Sequence, residues 1–134
     1  MGKRSTARRL AMQALYQAEL AGLEVEIALQ NIFESEKFIP ETLDFAGFLA
    51  RETWGAREEI DKIISELAID WSLDRIGKVD RSILRLAIQE LRIGETPVSV
   101  IINEAVELAK KYSGEETAKF INGILGAYVR RKET

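Results

Sequence analysis

The apolar residues recur at steps of three and four along almost the whole chain, and no convincing segment alternates between apolar and polar positions. Such steps return a side chain to the same face of an α-helix, whereas a half-buried strand needs strict alternation. Gly22, Gly94 and Gly114 suit helix C-termini, and Pro97 suits the first position of a helix. Pro40 disfavours helical geometry in the residue before it. The pattern predicts an all-α protein.

The same pattern predicts where the helices run. The first has a small inner stripe of alanine and leucine, and a later one follows apolar positions at steps of four, three, four, three and four from Leu49 to Leu67. Asp80 and Thr96 are candidate N-caps of the helices that follow them. With a short helical turn near 72–79, we expect about six to seven helices, over roughly 3–22, 25–36, 45–67, 80–94, 97–114 and 115–130.

Length and composition limit the possible chemistry. The 134 residues fit one compact domain, with 46% apolar and 31% charged residues and no segment that reads as a linker. Cysteine and histidine are both absent, so thiolate and Ser-His nucleophiles are excluded and a zinc site would need carboxylates alone. A glycine-rich phosphate loop is absent too. Most enzymatic templates are thereby excluded. Carboxylate pairs such as Glu58 and Glu59 could in principle act as acid and base, but such pairs occur on most solvated helices, so we expect no catalytic residue, no metal and no cofactor.

No apolar run approaches the roughly 18 residues that would span a bilayer, and the first 20 residues lack the uninterrupted apolar core of a signal peptide. We expect a cytoplasmic protein that makes no membrane contact.

Charge is segregated along the chain. The net charge is −3, yet the first nine residues contain Lys3, Arg4, Arg8 and Arg9 and no acid, which leaves −7 for the remainder. A basic segment on an acidic body suggests a polyanion partner that makes a local contact.

The first helix continues this basic segment with groups suited to RNA. At 100° per residue, Arg9, Met12, Gln13 and Tyr16 fall on the face opposite the alanine and leucine stripe. A guanidinium neutralises phosphate, an aromatic ring stacks on an unpaired base and an amide reads a base edge, so these residues are candidates for binding single-stranded RNA. In the alternative interpretation, the cations only solubilise a helix start and Tyr16 packs in the core. Cations at a helix N-terminus oppose the helix dipole at a cost of about 0.3–1 kcal/mol, which argues against that alternative.

Two further sets of charged residues have open roles. A second basic set could extend a phosphate track if it lies beside the first helix; its members are Arg75, Lys78, Arg81 and Arg85. Asp80 and Glu116 each lie at a helix start, where capping or the helix dipole already explains a carboxylate.

Three segments resemble the NusB family of bacterial transcription antitermination factors: "RRLAMQALYQAEL", "VDRSILRLAIQEL" and "PVSVIINEAVELAKKYSGEETAKFINGIL". They cover most of the chain in the family's order, and only about 25–68 lacks a distinctive match. The resemblance implies an all-helical fold of two small subdomains that share a core, here about 3–68 and 72–131, with no catalytic activity. It also implies binding to the single-stranded boxA element of nascent RNA.

The resemblance further implies partners and residue roles. Similar proteins bind boxA RNA together with NusE, a ribosomal small-subunit protein, and join an RNA polymerase antitermination complex on ribosomal RNA operons. The family's N-terminal RNA contacts match Lys3, Arg4, Arg8 and Arg9, with Tyr16 nearby. Its NusE contacts match Asp80 and Glu116, and a homodimer is possible because some relatives self-associate.

Two other functions stay open from the sequence. The chain is also similar to the RNA-binding module of ribosomal RNA cytosine methyltransferases, although it has no room for their catalytic domain. It could instead be a scaffold that binds protein and never touches RNA, in which case the basic segment would be dispensable.

Overall fold

The computed structural model describes residues 2–69 and 72–133, apart from the side chain of Asp74. These residues form seven α-helices, one single-turn 3₁₀ helix and no strand. The all-α prediction is confirmed. The helices are α1 Lys3–Ala21, α2 Val25–Phe33, α3 Pro40–Gly55, α4 Arg57–Leu67, α5 Lys78–Ile93, α6 Val98–Tyr112 and α7 Glu115–Glu133, with the 3₁₀ turn at Leu73–Arg75.

Two helices, α1 and α5, form the centre of the fold. The buried face of α1 presents four alanines, Ala7, Ala11, Ala14 and Ala18, and their small side chains let α3 pack closely along it. Nine consecutive residues of α5, 82–90, are buried, because α1, α3, α4, α6 and α7 all pack around this helix. Helix α5 is therefore the interior helix of the bundle, because side chains on all of its faces are buried along this stretch.

Local sequence signals place several helix ends correctly. Gly22 and Gly94 adopt left-handed backbone at φ 66° and 75°, and their N–H groups donate to the carbonyls of Ala18 and Glu90. Pro40 is the first residue of α3 and follows an extended Ile39. Helix α6 begins one residue later than expected, with Pro97 rather than Thr96 in the position before it.

One sequence prediction is wrong: the long helix ending at Leu67 is two helices. Helix α3 ends at Gly55, and Ala56 leaves helical geometry at φ −101° and ψ 9° before α4 begins. The Arg57 guanidinium then donates to the Trp54 carbonyl at 2.7 Å, which satisfies a backbone acceptor freed by the break. The apolar steps continue across the break because both helices face one core, and glycine is the residue that weakens a helix interior most after proline.

Helix α4 packs against α5 and α7 as well as α3, so the division into subdomains at 3–68 and 72–131 stays a prediction. Within the described ranges, no helix is long and apolar enough to cross a membrane.

Candidate nucleic-acid interface

The basic residues of α1 divide according to the helix face on which they lie, and Arg8 lies inside. It is 4% exposed, and its Nε and Nη2 atoms donate to the two Glu90 carboxylate oxygens at 2.8 and 2.7 Å. Its Nη1 atom lies 3.6 Å from Glu104, whose carboxylate also accepts from the Ser5 hydroxyl. The hydrogen bonds to Glu90 raise the pKa of Arg8, so the guanidinium stays charged and paired. In this structure the Arg8 guanidinium has no accessible face for a phosphate, so contact of Arg8 with RNA stays a prediction that the packing argues against.

Arg9, the next residue, lines an open groove between α1 and α6 of about 530 Å³. From α6 the groove receives Asn103, Glu107 and Lys111, among others. The nearest carboxylate that pairs with Arg9 is Glu36, at 3.9 Å, which is a long contact for an ion pair. The Arg9 guanidinium is therefore a cation whose charge is only weakly compensated at the surface.

Gln13 lies one turn after Arg9 and is half-buried, as is Tyr16. The Gln13 amide Nε2 lies 3.5 Å from the Tyr112 hydroxyl at the end of α6, so α1 and α6 approach each other here. Met12 was expected beside these residues but is 2% exposed, because the buried arc of α1 is wider than the alanine and leucine stripe.

Lys3 and Arg4 lie on a different side of α1 and face α3. The Lys3 ammonium is 3.1 Å from Glu41, and the Arg4 guanidinium lies 4.2 Å above the centre of the Phe45 ring. Both basic side chains are exposed, and no acid of α1 lies in its own first turn. The negative charge that pairs with the start of α1 therefore comes from Glu41 of α3. Both Lys3 and Arg4 remain accessible to an anion.

Two arginines of the second basic set hold the fold together. The Arg85 Nε and Nη2 atoms donate to Asp61 at 2.7 Å, and its Nη1 atom donates to Glu19 at 2.7 Å. Burial by itself lowers the pKa of Arg85, but Asp61 and Glu19 outweigh it, and the net shift is upward. Arg81 donates to the same Glu19 and to the Leu73 carbonyl in the 3₁₀ turn. The hydrogen bonds of Arg81 and Arg85 go to carboxylates and carbonyls of the protein, so a phosphate track through these two residues stays a prediction that the packing argues against.

Asp80 and Glu116, at the starts of α5 and α7, line a second groove of about 240 Å³ together with Arg75 and Phe120. Asp80 lies in the first turn of α5 rather than before it, and its carboxylate accepts a hydrogen bond from the Ser113 hydroxyl at 2.7 Å. The structure thus brings the two predicted partner-binding residues onto one surface. Arg75 and Lys78, the remaining members of the second basic set, are exposed near it.

Residues of α6 are the part of the interface that sequence reasoning missed. Asn103 and Lys111 line the α1–α6 groove, and Tyr112 follows Lys111 in the chain and approaches Gln13 of α1 at 3.5 Å. The "KKY" that ends α6 was the one available signal in the sequence. It was a weak signal, because the helix dipole already explains basic residues at a helix C-terminus. Only the packing of α6 beside α1 shows that these residues share a surface with Arg9.

Residues 5–130 match the profile of the NusB family. The chain belongs to the NusB family. The transcription antitermination protein NusB of Anaeromyxobacter dehalogenans is 43% identical over 124 residues, which cover 92% of this chain and 87% of the relative.

Two solved structures support this assignment. A chain in the crystal structure of a plectonemic RNA supercoil matches with a TM-score of 0.93 and 32% identity, over 100% of this chain and 99% of that chain. A chain in the crystal structure of the antitermination factors NusB and NusE in complex with double-stranded RNA matches with a TM-score of 0.87 and 31% identity. That alignment covers 93% of this chain and 94% of the other.

Proposed function

We propose that this protein is a transcription antitermination factor that binds the boxA element of nascent RNA together with NusE and joins an RNA polymerase antitermination complex. The role is one of binding, without catalysis, and it is exercised in the bacterial cytoplasm. Membership of the NusB family supports the proposal, as does the similarity to a NusB chain crystallised with NusE and RNA. The observation on this chain that supports it most is the open α1–α6 groove, where Arg9 has only a long ion pair.

The proposed RNA surface consists of the cations of α1 that remain accessible, with their neighbours. Arg9 and Gln13 face α6, while Lys3 and Arg4 extend the positive surface toward α3. Tyr16 adjoins them and stays a candidate for base stacking. Phosphate contacts from exposed Lys and Arg supply most of the non-specific affinity for nucleic acid, and stacking and base-edge contacts add selectivity. A net charge of −3 restricts RNA to this local positive surface.

The groove that contains Asp80 and Glu116 is the proposed surface for NusE. Two carboxylates beside the half-buried Phe120 combine negative charge with apolar area, which suits a basic protein partner. The groove is lined by residues near the starts of α5 and α7, and Arg9 is not among them. Self-association of the chain is a further prediction, which analytical ultracentrifugation with and without RNA would examine.

A fluorescence titration tests the proposal, with boxA RNA offered as a single strand and as a duplex, with and without NusE, over a series of salt concentrations. We expect the single strand to bind best when NusE is present, with an affinity that falls as salt rises because phosphate contacts release counterions. The duplex arm is needed because the RNA in the NusB–NusE relative is double-stranded. Salt-independent binding of NusE with no RNA affinity in any arm would identify a protein-binding scaffold instead.

A further inference from the structure

The C-terminal end of α6 places an exposed aromatic ring beside the cations of the α1–α6 groove. Of the three tyrosines in the chain, Tyr112 is the most accessible at 37% exposure, whereas Tyr128 is buried and Tyr16 is half-buried. A ring must present a free face before a nucleobase can stack on it. Tyr112 meets this requirement better than Tyr16, the aromatic that the sequence suggested.

The surroundings of Tyr112 suit RNA. The Lys111 ammonium lies 5.5 Å from the centre of its ring, and Lys111 itself lines the groove that contains Arg9. Lys110 pairs with Glu107 at 3.7 Å, whereas Lys111 has no carboxylate partner in the described part of the chain. The groove therefore has two weakly compensated cations, Arg9 and Lys111, contributed by different helices.

Each of the two carboxylates at this groove has its own polar or charged neighbour. Glu104 accepts from Ser5 and faces Arg8, and Glu107 is near Lys110. The groove lining contains two cations, Arg9 and Lys111, and two carboxylates, Glu104 and Glu107. Both carboxylates lie within 4 Å of another cation, so Arg9 and Lys111 are the charges left for a polyanion to contact.

We infer that Tyr112 is an RNA-binding residue whose ring stacks on an unpaired base, with Lys111 and Arg9 contacting the phosphates on either side. This inference rests on the proposed RNA-binding function and adds a second helix to the RNA surface. Aromatic rings between cations are the usual means by which proteins hold single strands, because every base offers a π-face. The Gln13 amide Nε2 lies 3.5 Å from the Tyr112 hydroxyl, so α1 meets Tyr112 at the edge of its ring and not at a face.

The position of Tyr112 also connects the two surfaces. The next residue, Ser113, donates to Asp80 in the groove proposed for NusE. A base stacked on Tyr112 would therefore lie at the border between this chain and NusE, where one RNA strand can contact both proteins.

The test measures boxA RNA binding by the full chain with NusE present, for wild type, Tyr112→Ala and Tyr112→Phe. We expect Tyr112→Ala to weaken binding about fivefold or more, the effect of losing one aromatic–base stack. Tyr112→Phe keeps the ring and should lose much less. The salt slope is the slope of the logarithm of the binding constant against the logarithm of the salt concentration. Lys111→Ala should reduce its magnitude by about one, as expected for the loss of one phosphate contact.

Lys132→Ala is the matched control for Lys111→Ala. Its ammonium lies 5.7 Å from the ring of Tyr128, in the same kind of cation–π contact, but that ring is buried and α7 ends away from the groove residues. We expect the Lys132 variant to bind RNA as wild type does. Thermal unfolding of each variant separates a binding loss from a folding loss.

A direct readout does not depend on any variant folding. RNA containing 4-thiouridine in boxA should crosslink, on irradiation, to the α6 peptide that contains Tyr112. Wild-type affinity of Tyr112→Ala together with no crosslink to α6 would overturn the inference and leave the proposed function standing, since the wild type still binds. Loss of NusE binding by Tyr112→Ala without RNA would also overturn it, by showing a protein contact. Failure of the wild type to bind RNA would reject both.

Discussion

Arg8 and Arg9 are adjacent in the chain but belong to two different regions of the molecule. Arg8 lies at the interface of α1 with α5, where it makes a two-pronged ion pair with Glu90, while Arg9 lies in the groove between α1 and α6. One step along an α-helix turns the side chain by about 100°, enough to move a guanidinium from the interior to the surface. The number of arginines in a basic segment therefore overstates the number that can reach RNA.

The physical requirements of the two regions are opposite. A buried guanidinium needs nearby carboxylates, because an unpaired charge in the interior costs several kcal/mol. A surface guanidinium needs the reverse, a charge left weakly compensated so that phosphate can compete for it. Arg8 and Arg85 have two carboxylates each, whereas Arg9 has one at 3.9 Å.

The largest expected effect is on stability, from Arg8→Ala. The Glu90 side chain is 4% exposed and would be left as a buried, unpaired carboxylate, so we expect the free energy of unfolding to fall by about 3–5 kcal/mol. Urea denaturation measures it. Arg9→Ala is the neighbouring control and should change stability by no more than about 0.5 kcal/mol. A loss below about 1 kcal/mol for Arg8→Ala would contradict its interior role.

Arg85→Ala should have the next largest effect on stability. Its partners Asp61 and Glu19 are 22% and 18% exposed, so they recover some hydration when the guanidinium is removed, and we expect a loss of about 2–3 kcal/mol. Arg92→Ala is the surface comparison, because Arg92 pairs with the exposed Glu59 and such pairs contribute about 0–1 kcal/mol. Equal losses for the two variants, in the same urea experiment, would remove the distinction between the regions.

Glu116→Lys should weaken binding of NusE about tenfold, or about 1.4 kcal/mol, without unfolding the chain. Glu115→Lys makes the same charge change in the same first turn of α7, so the two variants disturb the helix dipole alike, but only Glu116 lines the groove with Asp80. Isothermal titration calorimetry compares them. Equal weakening by both would mean that net charge, rather than this groove, governs the interaction.

The smallest expected effect is on RNA binding, from Arg9→Ala. Loss of one phosphate contact should weaken binding about three- to tenfold at low salt and reduce the salt slope by about one. Arg51→Ala removes an equal charge from an exposed pair with Glu26 on α2 and α3, and should bind RNA as wild type does. Equal effects of the two variants would indicate that RNA responds only to total charge.

Local features of the fold were predictable from the sequence. Gly22, Gly94 and Pro40 act on their own backbone and immediate neighbours, so their effects on helix ends can be read without tertiary structure. The break at Gly55 was not predictable from periodicity, because α3 and α4 both turn their apolar faces to the same core and the steps continue across the break.

The site was predictable only in part, since it depends on contacts between distant segments. Arg8 pairs with a residue 82 positions away, and nothing near it in the sequence identifies Glu90 as its partner. A weak signal existed, because Arg8 lies three and seven positions before Ala11 and Leu15, within the buried arc of α1. Asp80 and Glu116 were selected by family resemblance, and their shared groove depends on the packing of α5 beside α7.

The most direct test of the account is RNA binding by the double variant Arg8→Met with Glu90→Leu, compared with Arg9→Ala. The double change replaces the buried ion pair with apolar side chains of similar size, which proteins often tolerate, and it removes the Arg8 charge from a chain that stays folded. We predict that the double variant binds boxA RNA with NusE at wild-type affinity and salt slope, whereas Arg9→Ala binds more weakly with a slope reduced by about one. A reduced slope in the folded double variant, with none in Arg9→Ala, would contradict the assignment of Arg8 to the interior and Arg9 to the RNA surface.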